Sequence, residues 1–363
     1  MKIGSPKEIK NQEFRVGLTP AGVQELVGKG HEVFIETNAG LKIGYDDAQY
    51  VDAGAKIVAT PDDVFEAADL IVKVKEPQPV EIAKLQPKHT LFTYLHLAPD
   101  PEQSRGLMKS GATCIAYETV TDRAGRLPLL VPMSEVAGRL ATQVGAQLLQ
   151  INYGGPGVLL GGVTGTPSAK VTVIGGGISG TNAALMAIGL GADVTVLDRS
   201  TDRLRELHTI LGAHAKLLYS TQAAVSEAVA ESDLVIGAVL VPGAAAPRVV
   251  SKADIAAMKP GSAVVDIAID QGGCFETSKP TSHAEPTFIV DGVTHYCVTN
   301  MPALAARTAT QALSNVTLPF VHQLADLGAD AAMAANPHLA AGLNVQGGKL
   351  THPEVIKSLG FSE

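Results

Sequence analysis

Short apolar runs rich in Val and Ile alternate, through most of the chain, with stretches whose apolar residues fall at helical spacing. This alternation predicts α/β layers on largely parallel sheets, because a parallel strand needs a crossover segment before the next one. In the first part, KIGSP, HEVFIE, DLIVKVK, TLFTYLH and TCIAYET read as strands. Among them a helix is expected to start at Thr19–Pro20, an N-cap followed by proline at the first helical position. Another runs from about Pro101 to Lys109 and stops at Gly111. A third covers 132–150, with Ser134 as its cap. The glycine-rich stretch 154–170 reads as a loop. A second α/β series starts at Val171, with VTVIG, VTVLD, LVIGAV, SAVVDIAI and THYCV as strands. Their strongly apolar character fits strands covered on both faces. A long helical pattern over about 304–327 and a short helix near Pro353–Leu359 follow. No repeat at a solenoid period is present.

Composition narrows the class. The 363 residues correspond to two domains, or at most three, at roughly 100–200 residues each. Hydrophobic residues make up 46% and charged residues 18%, which excludes disorder as the main state. The formal charge of −8 speaks against nucleic-acid or anionic-membrane partners, which need a basic face. Trp is absent and aromatics are 4%, so stacking platforms for single strands are not expected. Three cysteines with no CxxC pair read as free thiols in a reducing compartment. The start, MKIGSPKEIK, is charged where a signal peptide is apolar, and no run approaches the roughly 18–20 apolar residues of a membrane span. A cytoplasmic protein is expected.

The strongest local signal is VTVIGGGISG followed by a helical run and VTVLD. Gly175, Gly177 and Gly180 form G-x-G-x-x-G between a strand and a helix. Asp198 lies 18 residues beyond Gly180, near the ~20 of the dinucleotide fingerprint. Gly175 permits the tight turn, Gly177 lets backbone approach a diphosphate, and Gly180 lets helix and strand pack closely. The diphosphate would rest on the helix N–H groups. Asp198 would accept from ribose hydroxyls and repel a 2′-phosphate, favouring NAD over NADP. Arg199 and Arg203 lie close by and soften that preference.

Candidate chemistry sits at strand ends, where open α/β sheets place ligands. Lys73 and Lys75 share one face of DLIVKVKEP; on spacing alone they also read as solvated lysines on an edge strand. His96 ends TLFTYLH and suits acid/base work near neutrality, or is a structural histidine. Arg15, before a capped helix, either forks onto a substrate carboxylate or makes a surface salt bridge. Asp270 closes SAVVDIAID, and Asp266 on the same face is expected to be deeper and structural. Cys274, with no evident basic partner, reads as a passive thiol. HExxH, paired CxxC, EF-hand and G-x-S-x-G motifs are missing, so no metal site and no acyl-hydrolase chemistry are expected.

Taken in order, MKIGSPKEIKNQEFRVGLTPAGV, LIVKVKEP, TYLHLAPD, PLLVPMSEVAGR, the glycine-rich segment, VVDIAIDQGGCFETSKPTSH, HYCVTNMP and ALSNVTLPFVHQLADLG are similar to the signatures of bacterial L-alanine dehydrogenases, the family that shares its fold with the transhydrogenase alpha subunit. The resemblance covers essentially the whole chain. It implies two doubly wound Rossmann-type domains with a cleft between them. The substrate domain would be discontinuous, about 1–130 and 305–363, and the NAD-binding domain about 131–304. It implies reversible NAD-dependent deamination of L-alanine to pyruvate and ammonium by a homohexamer. Carried across, Arg15 and Lys75 hold the substrate, while His96 and Asp270 are catalytic. The cofactor set is Ser134, Gly175, Gly177, Ile178, Gly180, Asp198, Arg203, Ser220, Val239, Ile267, Asp270, Lys279, Val298 and Met301. Two departures stand out: Lys279 occupies a position where the family has Arg, and NMPALAARTAT replaces NMPGAVPRTST. Two other readings of the same residues are a transhydrogenase-alpha-like nucleotide-binding protein, which would partner a membrane subunit, and an NAD-binding sensor without turnover.

Overall fold

A computed structural model describes residues 1–239 and 246–360. The chain forms two compact units, Met1–Met133 with Ala305–Glu363, and Ser134–Leu304. In chain order the strands of the first unit are β1 (Lys2–Ser5), β2 (Glu32–Glu36), β3 (Lys56–Val58), β4 (Leu70–Val72), β5 (Thr90–Thr93) and β6 (Thr113–Ala116). The second unit has β7 (Lys170–Ile174), β8 (Asp193–Asp198), β9 (Ala215–Tyr219), β10 (Leu234–Gly237), β11 (Ala263–Asp266), β12 (Thr287–Val290) and β13 (Val293–Tyr296). The chain then returns to the first unit with β14 (Leu343–Gln346) and β15 (Lys349–Leu350).

The first sheet runs β15-β14-β6-β5-β4-β1-β2-β3. Strands β1 to β6 pair in parallel, and β14 and β15 add an antiparallel margin. The second runs β12-β13-β11-β10-β7-β8-β9, parallel except for β12. Both are therefore doubly wound. The order reverses between β1 and β4 in one sheet and between β7 and β10 in the other, and crevices open at such switch points beyond the carboxyl ends of the strands.

Two of the three helix starts stand where the sequence places them. Thr19 caps the helix Pro20–Gly28 by accepting from Gly22 N, a bond whose loss typically costs about 1 kcal/mol. Asp100 caps Pro101–Ser110, and Gly111 ends it in the left-handed conformation. Ser134 is not a cap: the helix starts at Val131 and runs to Leu148, placing Ser134 inside its first turn. The stretch read as loop has no helix or strand between Tyr153 and Lys170. The long C-terminal pattern is the helix Ala306–Leu327, with Pro319 inside it and Ala309, Leu313, Thr317, Val321 and Leu324 on its buried face. Five strands carried no readable pattern: β3, β9, β12, β14 and β15. β9 lies at a sheet edge with Lys216, Leu218 and Tyr219 exposed, so burial gives it no clean alternation.

Candidate active site and dinucleotide site

In the first unit the charged residues gather on segments that follow β1, β4, β5 and β6. The loop after β1 crosses the end of β4 so closely that a Cβ on Gly17 would lie 2.4 Å from the Val72 carbonyl oxygen. That approach places the Glu8–Arg15 segment beside Lys73–Glu76. Arg15 is 2% exposed, and its Nε and Nη2 donate to the two carboxylate oxygens of Glu13 at 2.7 and 2.6 Å. Burial opposes the guanidinium charge, but the Glu13 bonds and charge outweigh it and raise its pKa. This is a buried pair rather than a surface one, and losing one partner of such a pair typically costs about 3–5 kcal/mol. The Nε–Nη2 edge that suits a substrate carboxylate is thus held by Glu13, while Nη1 lies 3.0 Å from Met133 Sδ.

The two lysines part company. Lys73 is fully buried, donating to Glu8 Oε2 at 3.0 Å and Glu81 Oε1 at 2.7 Å. Burial works against its charge, and the two carboxylates more than restore it. Glu8 Oε1 accepts from Val74 N at 2.7 Å and Lys75 N at 3.3 Å, which pins the backbone ahead of Lys75. Lys75 keeps 12% exposure, with Nζ 3.6 Å from Glu76 Oε2. Neither lysine is solvated on an edge, because β4 is an interior strand. Burial would raise the Glu76 pKa, but Lys75 and Lys10 hold it below the ordinary value.

His96 follows β5 with its side chain 46% exposed. Its backbone has φ +50°, a left-handed conformation that costs a non-glycine residue about 1–2 kcal/mol. Its ring stacks on Tyr94, centroids 5.8 Å apart and planes 10° apart. Tyr94 is spent on structure: its hydroxyl donates to Leu129 O at 2.6 Å, and burial raises its pKa well above the usual range. Glu118, after β6, accepts from the backbone N–H groups of Leu95 and His96. Glu8, Glu13 and Glu118 escaped the reading of the chain; the available signal was an acid just beyond a Val/Ile-type run, as in TCIAYET beside TLFTYLH.

In the second unit the glycine turn follows β7 at the switch point. Gly175 has φ +97°, and a Cβ there would meet Ala238 O at 2.8 Å; one on Gly180 would sit 1.8 Å from Gly175 O. A Cβ on Gly177 would meet nothing within 4 Å among the described residues. The helix Ile178–Gly189 starts after Gly177 with no side-chain cap, which leaves its first N–H groups for an anion. Asp198 ends β8, its Oδ2 accepting from Gly176 N at 2.7 Å and its Oδ1 from Ser200 N at 2.8 Å. Arg203 reaches back to the turn, with Nε 2.7 Å from Gly176 O and Nη2 2.8 Å from Thr181 Oγ1. It braces the loop. Ser220 N donates to Asp198 O, which sets Ser220 beside the acid.

Asp270 is exposed in the turn Ile267–Gln271 after β11. Its Oδ2 accepts from Asn300 N at 3.4 Å, which ties this turn to the Val298–Met301 segment. Beside it, Gln271 Oε1 is buried with no hydrogen-bond partner among the described residues. Asp266 is fully buried and organises the turn, accepting from Ala268 N, Cys274 N and Ser278 Oγ. Burial raises its pKa against those bonds. Cys274 is a buried thiol 3.6 Å from Val239 O, and desolvation raises its pKa far above the thiol range. Lys279 Nζ lies 4.5 Å from the centre of the Phe288 ring, a cation–π seat rather than the bidentate reach of arginine. The glycine turn, uncapped helix, acid at β8 and orphaned Gln271 oxygen fit a dinucleotide.

Two family descriptions match the chain: Alanine dehydrogenase/PNT, N-terminal domain, over 4–137, and the C-terminal domain over 141–353. The chain belongs to the alanine dehydrogenase/PNT family. It is 58% identical to an alanine dehydrogenase of Halomonas elongata, over 99% of this chain and 97% of that protein. A solved L-alanine dehydrogenase, 52% identical, superposes with a TM-score of 0.97 over 99% of both chains. A transhydrogenase of Sinorhizobium meliloti is more distant within the same fold: 26% identity and TM-score 0.86, over 97% of this chain and 100% of that one. Members of the dehydrogenase branch are oxidoreductases acting on CH–NH2 groups with a pyridine nucleotide. No helix among the described residues is long and apolar enough to cross a membrane.

Proposed function

We propose that the chain catalyses the reversible oxidative deamination of L-alanine: L-alanine, NAD and water give pyruvate, ammonium, NADH and a proton. The observation that carries this is the set at the carboxyl ends of one sheet: an arginine and a lysine to hold a carboxylate, beside an accessible histidine. The unit of 1–133 and 305–363 is the substrate domain, and 134–304 is the dinucleotide domain.

A bound nicotinamide dinucleotide supplies the acceptor for the hydride leaving the α-carbon. Gly175, Gly177, Ile178 and Gly180 hold its diphosphate, with Ser134 contributing from the helix Val131–Leu148. Asp198 takes the ribose hydroxyls and disfavours a 2′-phosphate, so NAD is chosen over NADP. Ser220 would lie by the adenine, Lys279 would serve the nucleotide as a point charge, and Val239, Ile267, Val298 and Met301 would line the nicotinamide side. Arg203 contributes by bracing the glycine turn.

Lys75 and the Nη side of Arg15 hold the substrate carboxylate and, in the keto acid, the carbonyl oxygen. His96 takes the proton of attacking water and returns it as the carbinolamine collapses to pyruvate and ammonia. Asp270 stabilises the cationic imine carbon–nitrogen unit and helps place water or ammonia. Pre-alignment of these groups is a large part of the rate gain.

The test is purified protein with L-alanine and NAD as sole partners at mildly alkaline pH, read by reduced-nicotinamide absorbance. Sustained reduction with L-alanine, and far slower reduction with D-alanine or with NADP, is expected. Dinucleotide binding without amino-acid turnover would overturn the proposal in favour of a sensor. Hydride exchange between two nucleotides without alanine would favour the transhydrogenase reading.

A further inference from the structure

We infer that Glu118 is a positioning residue for His96: its carboxylate holds the histidine backbone in the left-handed conformation and so sets where the imidazole stands. The inference rests on the acid/base role proposed for His96. Strands β5 and β6 are parallel neighbours with Thr93 opposite Ala116, so the residues beyond their ends emerge side by side. After Ala116 the chain turns through Tyr117–Thr119, which brings the Glu118 carboxylate to the end of β5. Its Oε1 accepts from Leu95 N at 3.1 Å and from His96 N at 2.5 Å, and Oε2 lies 3.2 Å from Leu95 N.

Two consecutive backbone N–H groups aimed at one oxygen form a small anion-binding concavity. That convergence occurs here with His96 at φ +50°. The strain and the carboxylate are therefore two sides of one arrangement: charge-assisted bonds offset the cost of the conformation. Neighbours fix the remaining freedom. Gln103 Nε2 donates to Leu95 O at 2.8 Å, and the Tyr94 ring backs the imidazole. His96 Nδ1 stands 4.0 Å from Glu118 Oε1, beyond hydrogen-bond range. Glu118 thus acts through the backbone. Without the carboxylate, the chain at His96 is released toward ordinary φ values and the ring leaves its place over Tyr94.

The experiment is a double-mutant cycle in the intact chain, read as kcat for L-alanine oxidation alongside the KM for NAD. Glu118→Ala is expected to lower kcat by roughly tenfold or more while leaving the KM for NAD within about twofold, as for an interaction needed at the chemical step. In a His96→Ala background the same change is expected to cost less than about twofold, because its partner in the effect is gone. Glu118→Gln keeps a carbonyl oxygen for both N–H groups and is expected to hold kcat within about threefold of the parent. An equal loss from E118A in both backgrounds would show a general structural role and overturn the inference, as would full activity of E118A or an E118A-sized loss in E118Q. A fully active H96A would instead overturn the histidine's role itself. Should E118A not fold, Glu118→Asp, whose carboxylate is one methylene shorter, takes its place: a loss of kcat that disappears in the His96→Ala background supports the clamp, and no loss or an equal loss in both backgrounds refutes it.

Discussion

Lys73 and Lys75 stand two residues apart and meet different fates. Lys73 is sealed between Glu8 and Glu81, while Lys75, one pleat further along, stays partly exposed beside Glu76. Period two puts both on one face, but only the neighbouring loops decide which is buried. The same holds for Arg15, whose partner Glu13 is two residues away and invisible to any spacing rule. Asp198 was legible, because strand, glycine turn, helix and strand precede it in fixed order. Its structure adds a second duty, since Oδ2 also supports the turn at Gly176. Asp198→Ala is therefore expected to weaken NAD binding by roughly tenfold, equivalent to about 1.4 kcal/mol, and to narrow the preference over NADP. Titration of both nucleotides by fluorescence or calorimetry checks this; unchanged affinities for both would contradict the ribose assignment.

Elements were legible where burial imposed a pattern. The parallel strands flanked on both sides appear as apolar runs, and the helices with Thr19 or Asp100 caps announce their starts. Strands β9, β12 and β15 sit at or beside sheet margins, where one side lacks a neighbour and polar residues are tolerated. Ser134 misled because helix 131–148 extends beyond its apparent cap. Some turns depend on histidines that no periodicity reveals. His89 Nε2 is 2.7 Å from Phe65 O while Nδ1 accepts from Gln86 N at 2.9 Å, an arrangement only the neutral ring satisfies. Burial lowers its pKa below the ordinary 6.5. The sign follows: the folded state prefers the neutral ring, so its contribution is complete above about pH 6.5 and is lost as pH falls through the lowered folded value. Burial likewise lowers the pKa of His295. Thermal midpoints are expected to fall as pH drops below about 6.5, and to fall less steeply in His89→Gln, whose amide can donate to Phe65 O and accept from Gln86 N. An identical acid slope in that variant would contradict the assignment.

At the scale of the molecule, two sheets with the same winding order carry different equipment at corresponding places. In one, the switch point between β1 and β4 bears acids and bases; in the other, that between β7 and β10 bears glycines. The division at Met133 and Ala305 is not marked by the strand pattern, whose second α/β series begins only at Lys170; the family resemblance alone implied bounds near it. The acids of the first site were not legible either: Glu8 and Glu118 follow different strands from the groups they hold, and Glu13 sits two residues from Arg15. The central claim is that these sets together act on a carbon–nitrogen bond, and the reverse reaction tests it most directly. Pyruvate, ammonium and NADH are incubated with the protein and the product is resolved by chiral chromatography. The account predicts L-alanine in an amount equal to the NADH consumed, with no consumption when ammonium is omitted. Lactate as the product, or NADH oxidation indifferent to ammonium, would contradict it.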